Sequence, residues 1–259
     1  MSRTDYGAIL STVIKDTSDA IREAKGTSAL ISPSDWGSEI RSIVPPWRAK
    51  VNSLIERTYT SIESDVTSVG NYTFYQNTLL QSVSMPSATT VGTGAFYGCS
   101  SLTSINLPLV TIVEGSAFNS CSSLPSIDLP LATSLGTGAF TSCSGLTSLV
   151  FPSVTSVGFF AFYQCPNLTS LDFLKQISIG NMCFSGCSKL DTLILRANAV
   201  TTIPNVDIFS NTPFASGGTG GTLYVPQALI SSYRSASNWS TILGYTNNKI
   251  LSIESMENN

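Results

Sequence analysis

The sequence has no histidine, and only 11% of its 259 residues are charged, against roughly 25% in ordinary soluble proteins. Without histidine the chain lacks the usual general base at neutral pH, the common nucleophilic triads and histidine-containing zinc sites. The formal net charge is −3, and lysine and arginine form no cluster of the kind that phosphates attract. The composition therefore argues against an enzyme and against a nucleic-acid partner.

Long apolar runs are missing as well. Apolar stretches are interrupted every few residues, whereas a membrane-spanning helix needs about 20 consecutive apolar residues. Residues 1–6 are polar and lack the apolar centre of a secretory signal peptide. We therefore expect no membrane span and no signal peptide, and a protein made and folded in a cytoplasm. A larger particle could still carry it out of the cell.

What the sequence does have is a repeat with a step of 22 residues. Phenylalanine and leucine each keep this step over six copies, and cysteine keeps it over five, with Asn77 in the first cysteine position. Three residue types in one register indicate a stack of similar coils. The repeating residues are Phe74, Phe96, Phe118, Phe140, Phe162 and Phe184; Leu80, Leu102, Leu124, Leu146, Leu168 and Leu190; and Cys99, Cys121, Cys143, Cys165 and Cys187.

The first half of each copy predicts a strand. Leu102, Ile105 and Leu107 have the L-x-x-L-x-L spacing of a leucine-rich repeat. Ile105 and Leu107 point to the same side of a strand, which Pro108 ends because it has no amide donor. No single coil can bury its own apolar residues, so coils must stack about 4.8 Å apart, like residue on like.

The second half of each copy carries one further apolar residue, for example Val91 or Val157, and then a turn. We expect Ala95 and Phe96 to fill the back of the coil on a short helical or 3₁₀ turn. A glycine that follows the further apolar position in four copies predicts a sharp turn there. These glycines are Gly92, Gly136, Gly158 and Gly180.

The unit A-F-x-x-C-x-x-L-x-x-I-x-L-P resembles the BspA-like, Treponema-type class of bacterial leucine-rich repeats, over about residues 60–198. The expected fold is a β-rich solenoid of the α/β type, with about six coils of 22 residues. The segment from Leu223 through Trp239 to Ile253 is similar to the C-terminal closing segment of this class. It predicts a strand, a short helix and a final strand.

Four parts of the chain are expected. Residues 1–45 form an N-terminal helical segment for attachment or oligomerisation, and residues 46–61 form a linker and lead-in. Residues 62–198 are the leucine-rich repeats. Residues 199–259 are a loop, rich in asparagine, threonine and glycine, followed by the C-terminal cap.

Two amphipathic helices are predicted in the first 45 residues. Apolar residues at three- and four-residue steps predict the first over about residues 5–24, and Ser32 with Pro33 begins the second. Two helices of this size bury too little to be stable alone, so they must dock on the stack, on copies of themselves or on a partner. The candidate attachment residues are Ile9, Val13, Ile21, Trp36 and Ile40.

Residues Asp19 to Ile43 resemble an N-terminal module of structural proteins from tailed bacteriophages, where it precedes variable domains. The resemblance implies an attachment piece that contacts other virion proteins. It favours a non-enzymatic virion component, such as a head or tail fibre, spike or decoration protein, which we expect to be a trimer. The alternative is a bacterial surface or secreted adhesin with the same repeats.

The outward residues of the strands form a candidate binding face for a host glycan or protein. The face is polar and nearly uncharged, so it could equally serve only solubility. Aromatic residues that depart from the repeat are candidate contacts, because rigid rings often anchor interfaces, although they could instead pack between loops. The face consists of Ser104, Asn106, Ser126, Asp128, Ser148, Val150, Ser170 and Asp172, and the aromatic candidates are Tyr97, Phe159, Phe160 and Tyr163.

Three features suggest chemistry, and each has a simpler interpretation. The cysteine column predicts a buried ladder, because five thiols in a row cannot all pair and no C-x-x-C motif exists for zinc. Asp128 and Asp172 lie two coils apart, about 10 Å, which is near the carboxylate spacing of inverting glycosidases. The open face offers no pocket, so solvated aspartates are expected. The glycine run over 217–221 predicts a flexible connector, and we expect no metal or cofactor.

Overall fold

The computed structural model describes residues 60–245 and 247–257. These residues wind into a solenoid, as the sequence predicts. We number its coils by their buried phenylalanine, from Phe74 in coil 1 to Phe184 in coil 6. The predicted helices of the first 45 residues, and all five candidate attachment residues, lie outside the described residues.

Each coil has a short strand before its phenylalanine and, in most coils, a longer strand after it. The strands are β1 (Ser61–Glu63), β2 (Ser68–Val69), β3 (Ser82–Ser84), β4 (Thr90–Val91), β5 (Ser104–Asn106), β6 (Ile112–Val113), β7 (Ser134–Leu135), β8 (Ser148–Phe151), β9 (Ser156–Val157), β10 (Ser170–Phe173), β11 (Ser178–Ile179), β12 (Thr192–Leu195), β13 (Thr222–Val225) and β14 (Lys249–Ser252). The helices are α1 (Ile230–Ser235), α2 (Trp239–Leu243) and α3 (Ile253–Glu257), with 3₁₀ turns at Val206–Phe209 and Gln227–Leu229.

The short strands form one unbroken parallel sheet, whereas the longer strands form two. The short-strand sheet has the order β11-β9-β7-β6-β4-β2, and the longer strands pair as β1-β3-β5 and as β14-β13-β12-β10-β8. The gap is in coil 3, where Pro125 occupies the position of Thr103 and Thr147. Thr103 donates its backbone N–H to the Gln81 carbonyl at 2.8 Å, a bond that proline cannot make. A single proline therefore accompanies the interruption of the long-strand sheet.

The phenylalanines of coils 1 to 6 form one continuous stack. Neighbouring ring centroids are 5.1–6.1 Å apart, and the rings are within 21° of parallel. All six rings are buried, and so are the six repeating leucines. The prediction that like residues lie on like is confirmed.

The stack continues where the sequence loses its regular step. Phe209 follows Phe184 by 25 residues (209 − 184), yet their rings stack at 5.5 Å. The Phe184 N–H donates to the Ile208 carbonyl at 3.0 Å. Part of the segment predicted as a loop therefore continues the stack, and three extra residues conceal it from the periodicity.

The glycines that predict a sharp turn have another role. Left-handed φ angles occur elsewhere in the coil, for example at Gly94 (58°) and Gly98 (71°). At Gly158, a Cβ atom would lie 2.6 Å from the backbone nitrogen of Thr137 in the preceding coil. Gly158 and its equivalents thus permit close stacking of coils. A turn does begin there, since the Ala161 N–H donates to the Gly158 carbonyl at 3.4 Å, but it does not use a left-handed glycine.

Part of the glycine run over 217–221 is packed, contrary to the predicted flexible connector: Gly217 has open space around it, whereas Gly218, Gly220 and Gly221 lie against neighbouring residues. The Gly221 N–H donates to Asn248 Oδ1 at 2.6 Å. A Cβ on Gly221 would lie 2.5 Å from the Phe214 ring. From Gly218 onward the run is therefore a close-fitting connection into β13, and glycine is needed there for space.

The C-terminal elements include the predicted strand, helix with Trp239 and final strand, as β13, α2 and β14. The Tyr233 and Trp239 side chains are fully buried and meet edge to face at 5.6 Å. Both bind the backbone of Thr201. The Thr201 N–H donates to Tyr233 Oη at 2.9 Å, and Trp239 Nε1 donates to the Thr201 carbonyl at 2.6 Å. None of the helices in the described part of the chain has the length and apolar character needed to cross a membrane.

Removing the Tyr233 hydroxyl tests how this cap is anchored. We expect Tyr233→Phe to lower the free energy of unfolding by about 1–3 kcal/mol, because the buried Thr201 N–H loses its acceptor. Urea unfolding followed by circular dichroism measures the change. Tyr224→Phe, at a partly exposed tyrosine of β13, is the control and should change it by less than about 0.5 kcal/mol. Equal losses would contradict the proposed anchoring.

Candidate functional site

The longer strands present the strand face, which we define as their outward side. Side chains alternate along β8, so that Leu149 and Phe151 are buried while Ser148 and Val150 face solvent. Val150 is 53% exposed. The register sets it beside Asp172 of the next coil. The predicted outward direction of these candidates therefore holds.

The candidate residues are divided by the interruption in coil 3. Ser104 and Asn106 belong to β5, at the edge of the first long-strand sheet. Ser126 and Asp128 are exposed but lie in a segment that forms no strand. Candidates from Ser148 to Asp172 belong to the second long-strand sheet. The candidate face is thus two polar surfaces with an irregular segment between them.

Asp172 is not the solvated carboxylate that the sequence predicts. Its side chain is only 14% exposed, and Arg196 Nε donates to both carboxylate oxygens at 3.0 Å. Arg196 Nη1 also donates to Glu257 Oε1 at 2.7 Å. The hydrogen bond to Asp172, and then that to Glu257, raises the pKa of Arg196. Asp172 therefore links the repeats to α3 through Arg196 and is occupied as an ion-pair partner.

Hydroxyl ladders, which sequence reasoning missed, use part of the polar surface. Directly before the short strands, threonine Oγ1 atoms donate to the carbonyl of the residue 22 positions earlier at 3.1–3.3 Å. The donors are Thr89, Thr111, Thr133 and Thr155. A threonine recurs at this position of the sequence every 22 residues, and this recurrence is the signal that could have identified the ladder. These hydroxyls join coils and are less available to a ligand.

The cysteine column is the buried ladder that the sequence predicts. All six cysteines are free and buried. In five of them the thiol donates to a phenylalanine carbonyl 25 residues earlier, at 2.9–3.2 Å. Burial raises the pKa of Cys99 and of Cys143 to about 12. Thiols held protonated in this way are poor nucleophiles and poor metal ligands.

Exposed aromatic rings lie on the turn face, which we define as the outward side of the six-residue segments around the buried phenylalanines. Phe159 is 55% exposed and Phe160 is 38% exposed, so neither ring is packed away between loops. Phe160 meets Tyr163 edge to face, with centroids 5.5 Å apart. Tyr97 is partly exposed and stacks on Tyr75 at 5.0 Å. The structure thus pairs two of the four aromatic candidates, places Phe159 next to them in the chain, and leaves Tyr97 apart.

Comparison with known families identifies the repeat. The model for the "BspA type Leucine rich repeat region" matches residues 52–134 and 111–217, with six copies. The matched residues make up more than half of the chain, which confirms the resemblance of the repeat. Residues 19–43, with their resemblance to bacteriophage proteins, lie outside the match. Among curated proteins, none matches this sequence.

Several solved bacterial proteins are similar in structure. The T. pallidum leucine-rich repeat protein TpLRR is 24% identical, with a TM-score of 0.48, covering 73% of this chain and 86% of that one. A leucine-rich cell surface protein of Faecalibacterium prausnitzii is 23% identical, with a TM-score of 0.48, covering 62% and 52%. The pneumococcal vaccine antigen PcpA is 17% identical, with a TM-score of 0.43, covering 80% and 43%. This chain thus spans about half the length of the last two proteins.

Proposed function

Because the chain belongs to the BspA-type leucine-rich-repeat family, we propose that it is a non-enzymatic binding protein whose stack presents a fixed surface to another molecule. The observation that carries this proposal is the unbroken phenylalanine stack, with rings 5.1–6.1 Å apart. It fixes the backbone from which the outward side chains project before any ligand arrives. Preorganised surfaces lose less conformational entropy on binding. A charge-poor surface suits a protein or glycan better than a nucleic acid.

Several side chains that could take part in catalysis are engaged in structural contacts, which supports a role without catalysis. Arg196 occupies the Asp172 carboxylate at 3.0 Å, so Asp128 and Asp172 do not form a pair of two free carboxylates. Burial keeps the thiols protonated, as at Cys143. The chain has no histidine to act as a base.

We propose the strand face as one contact surface. Val150, 53% exposed, is an apolar centre with exposed Ser148 on the same strand and the Asp172–Arg196 ion pair beside it. An apolar centre within a polar rim is the usual arrangement of a protein interface. The partner is a protein or glycan of another cell surface.

Adhesion of coated beads tests this function. Beads carrying the full-length protein should adhere to cultured epithelial cells or to intact bacteria. Asn106→Arg/Val150→Arg adds two charges to the strand face, and we expect at least tenfold weaker adhesion, equivalent to about 1.4 kcal/mol. Ile112→Arg/Ser156→Arg, on the exposed side of the short-strand sheet, is the control and should adhere normally. Beads that adhere to neither kind of cell would overturn the proposal, and equal adhesion of both variants would overturn the strand face as contact.

Two settings for this function have separate support. Family membership favours a bacterial surface or secreted adhesin. The resemblance of residues 19–43 to phage structural proteins favours a virion component that residues 1–45 join to other virion proteins, with trimers adding avidity. Proteomics of purified virions and of bacterial surface fractions separates the two settings. Light scattering that finds a monomer, unchanged by deletion of residues 1–45, would reject the trimer.

A further inference from the structure

The turn face of coil 5 carries an aromatic platform, which we define as Phe159, Phe160 and Tyr163. Phe159 and Phe160 are 55% and 38% exposed, and Tyr163 supports Phe160 edge to face at 5.5 Å. In coil 4 the equivalent positions hold Thr137, Gly138 and Thr141. The fold therefore does not require rings at these positions.

Phe160 adopts a backbone conformation that is unfavourable for its residue type. Its φ is 57°. The same position of the other coils holds Gly94 and Gly138 at 58° and 64°, and also Tyr72, Ser116 and Met182 at 56°, 53° and 52°. A residue with a Cβ atom costs about 1–2 kcal/mol in this region. The left-handed conformation thus belongs to the coil, and coil 5 places an exposed phenyl ring at a position where glycine would cost less strain, which motivates a search for a function.

The backbone under the platform is held in place by neighbouring coils. Gly138 N–H donates to the Phe159 carbonyl at 2.8 Å, and Phe160 N–H donates to the Asn181 carbonyl at 3.1 Å. Thr141 Oγ1 donates to the Phe160 carbonyl at 2.8 Å. A Cβ on Gly180 would lie 2.5 Å from Phe159 Cδ1, so the Phe159 ring lies against the bare backbone of coil 6. The rings are therefore positioned before any ligand binds.

We propose that this platform binds a neutral glycan. A pyranose ring presents C–H groups on one face and hydroxyls at its edge, and the C–H face stacks on the electron-rich face of an aromatic ring. Gln164 and Asn181 are exposed beside the platform and carry amides that can donate to and accept from hydroxyls. The turn segments 137–142, 159–164 and 181–186 contain no charged residue, so an acidic or basic partner finds no opposite charge there.

The same face carries a second ring along the stack. Tyr97 occupies the position of Tyr163 three coils earlier, which is about 14 Å at the strand spacing of 4.8 Å. A polysaccharide lying along the stack can contact both. We therefore expect polymers to bind more tightly than disaccharides.

Affinity electrophoresis of the full-length protein tests the inference, which rests on the proposed binding function. Gels contain dextran, mannan or galactan as neutral probes, or heparin as a charged one, and retardation is compared with a sugar-free gel. Phe159→Thr/Phe160→Gly/Tyr163→Thr copies the residues of coil 4, so it should fold and unfold at the same or a higher temperature. We expect retardation by at least one neutral polysaccharide, at least tenfold weaker in this variant and unchanged in the control Ile112→Arg/Ser156→Arg. The strand-face variant Asn106→Arg/Val150→Arg is run beside them to locate the glycan.

Each other outcome overturns the inference in a distinct way. Retardation by none of the neutral polysaccharides, or by heparin alone, rejects the ligand class. Equal retardation of the platform variant rejects the site. Loss in the strand-face variant alone moves the glycan to the strand face. In each case the bead adhesion of the unaltered protein still decides the proposed function separately.

Discussion

Substitution of Phe118 by alanine should lower the free energy of unfolding by about 3–5 kcal/mol. Phe118 is fully buried and stacks on Phe96 at 5.2 Å and on Phe140 at 5.3 Å. Its removal leaves a cavity in the middle of the stack and takes a stacking partner from both neighbouring rings. Domains are stable by only about 5–15 kcal/mol, so the loss is a large fraction of the total.

Urea unfolding measures this loss, and an exposed ring of the same type is the matched control. Phe159→Ala removes a side chain that is 55% exposed and should change stability by less than about 0.5 kcal/mol. Because each coil contacts only its neighbours, hydrogen exchange in Phe118→Ala should rise most in coils 2 to 4. Similar losses in the two variants, or a uniform rise in exchange, would contradict the stacked core.

Alkaline pH should unfold the protein through its buried thiols. The pKa of Cys99 and of Cys143 rises from the ordinary 9.0 to about 12 on folding. Above pH 9 the unfolded chain releases these protons while the folded chain keeps them. The raised pKa values therefore stabilise the folded protein fully below pH 9. This stabilisation is lost between about pH 9 and 12, by about 1.4 kcal/mol per pH unit for each thiol.

Urea unfolding at a series of pH values from 7 to 11 measures this slope. Cys99→Ala/Cys143→Ala removes these two thiols, and its slope above pH 9 should be smaller by about 2.8 kcal/mol per pH unit. The comparison uses the slope of the free energy of unfolding against pH. A loss of stability that is the same at every pH therefore does not affect the result. A stability that stays flat up to pH 11, or a slope unchanged in the variant, would contradict protonated thiols in the core.

The stacked core was predictable because identical residues at one step must lie on one another. Deviations from that step were not. Three extra residues conceal Phe209, although its ring stacks on Phe184 at 5.5 Å. Arg196 follows Asp172 by 24 residues rather than by 22, so a search for equal positions does not pair them. The effect of Pro125 on the long-strand sheet depends on one missing N–H, which matters only once its neighbours are known.

The candidate site was predictable in direction but not in detail. Alternation along a strand indicates that Val150 faces outward, and it does. Exposure of Phe159 and Phe160 depends on the turn conformation, and a left-handed φ at a phenylalanine is not expected from its residue type. Sequence alone therefore left the rings with two alternatives, and geometry was needed to choose between them.

The hydroxyl ladders also bear on how such a chain can change length. Thr111 Oγ1 donates to Thr89, and Thr133 Oγ1 donates to Thr111, both at 3.1 Å. Since donor and acceptor belong to equivalent positions, a whole unit can be inserted or deleted and every remaining group meets the same kind of neighbour. Duplication of a unit can then lengthen the solenoid in increments of about 4.8 Å, without a change in the residues of its core.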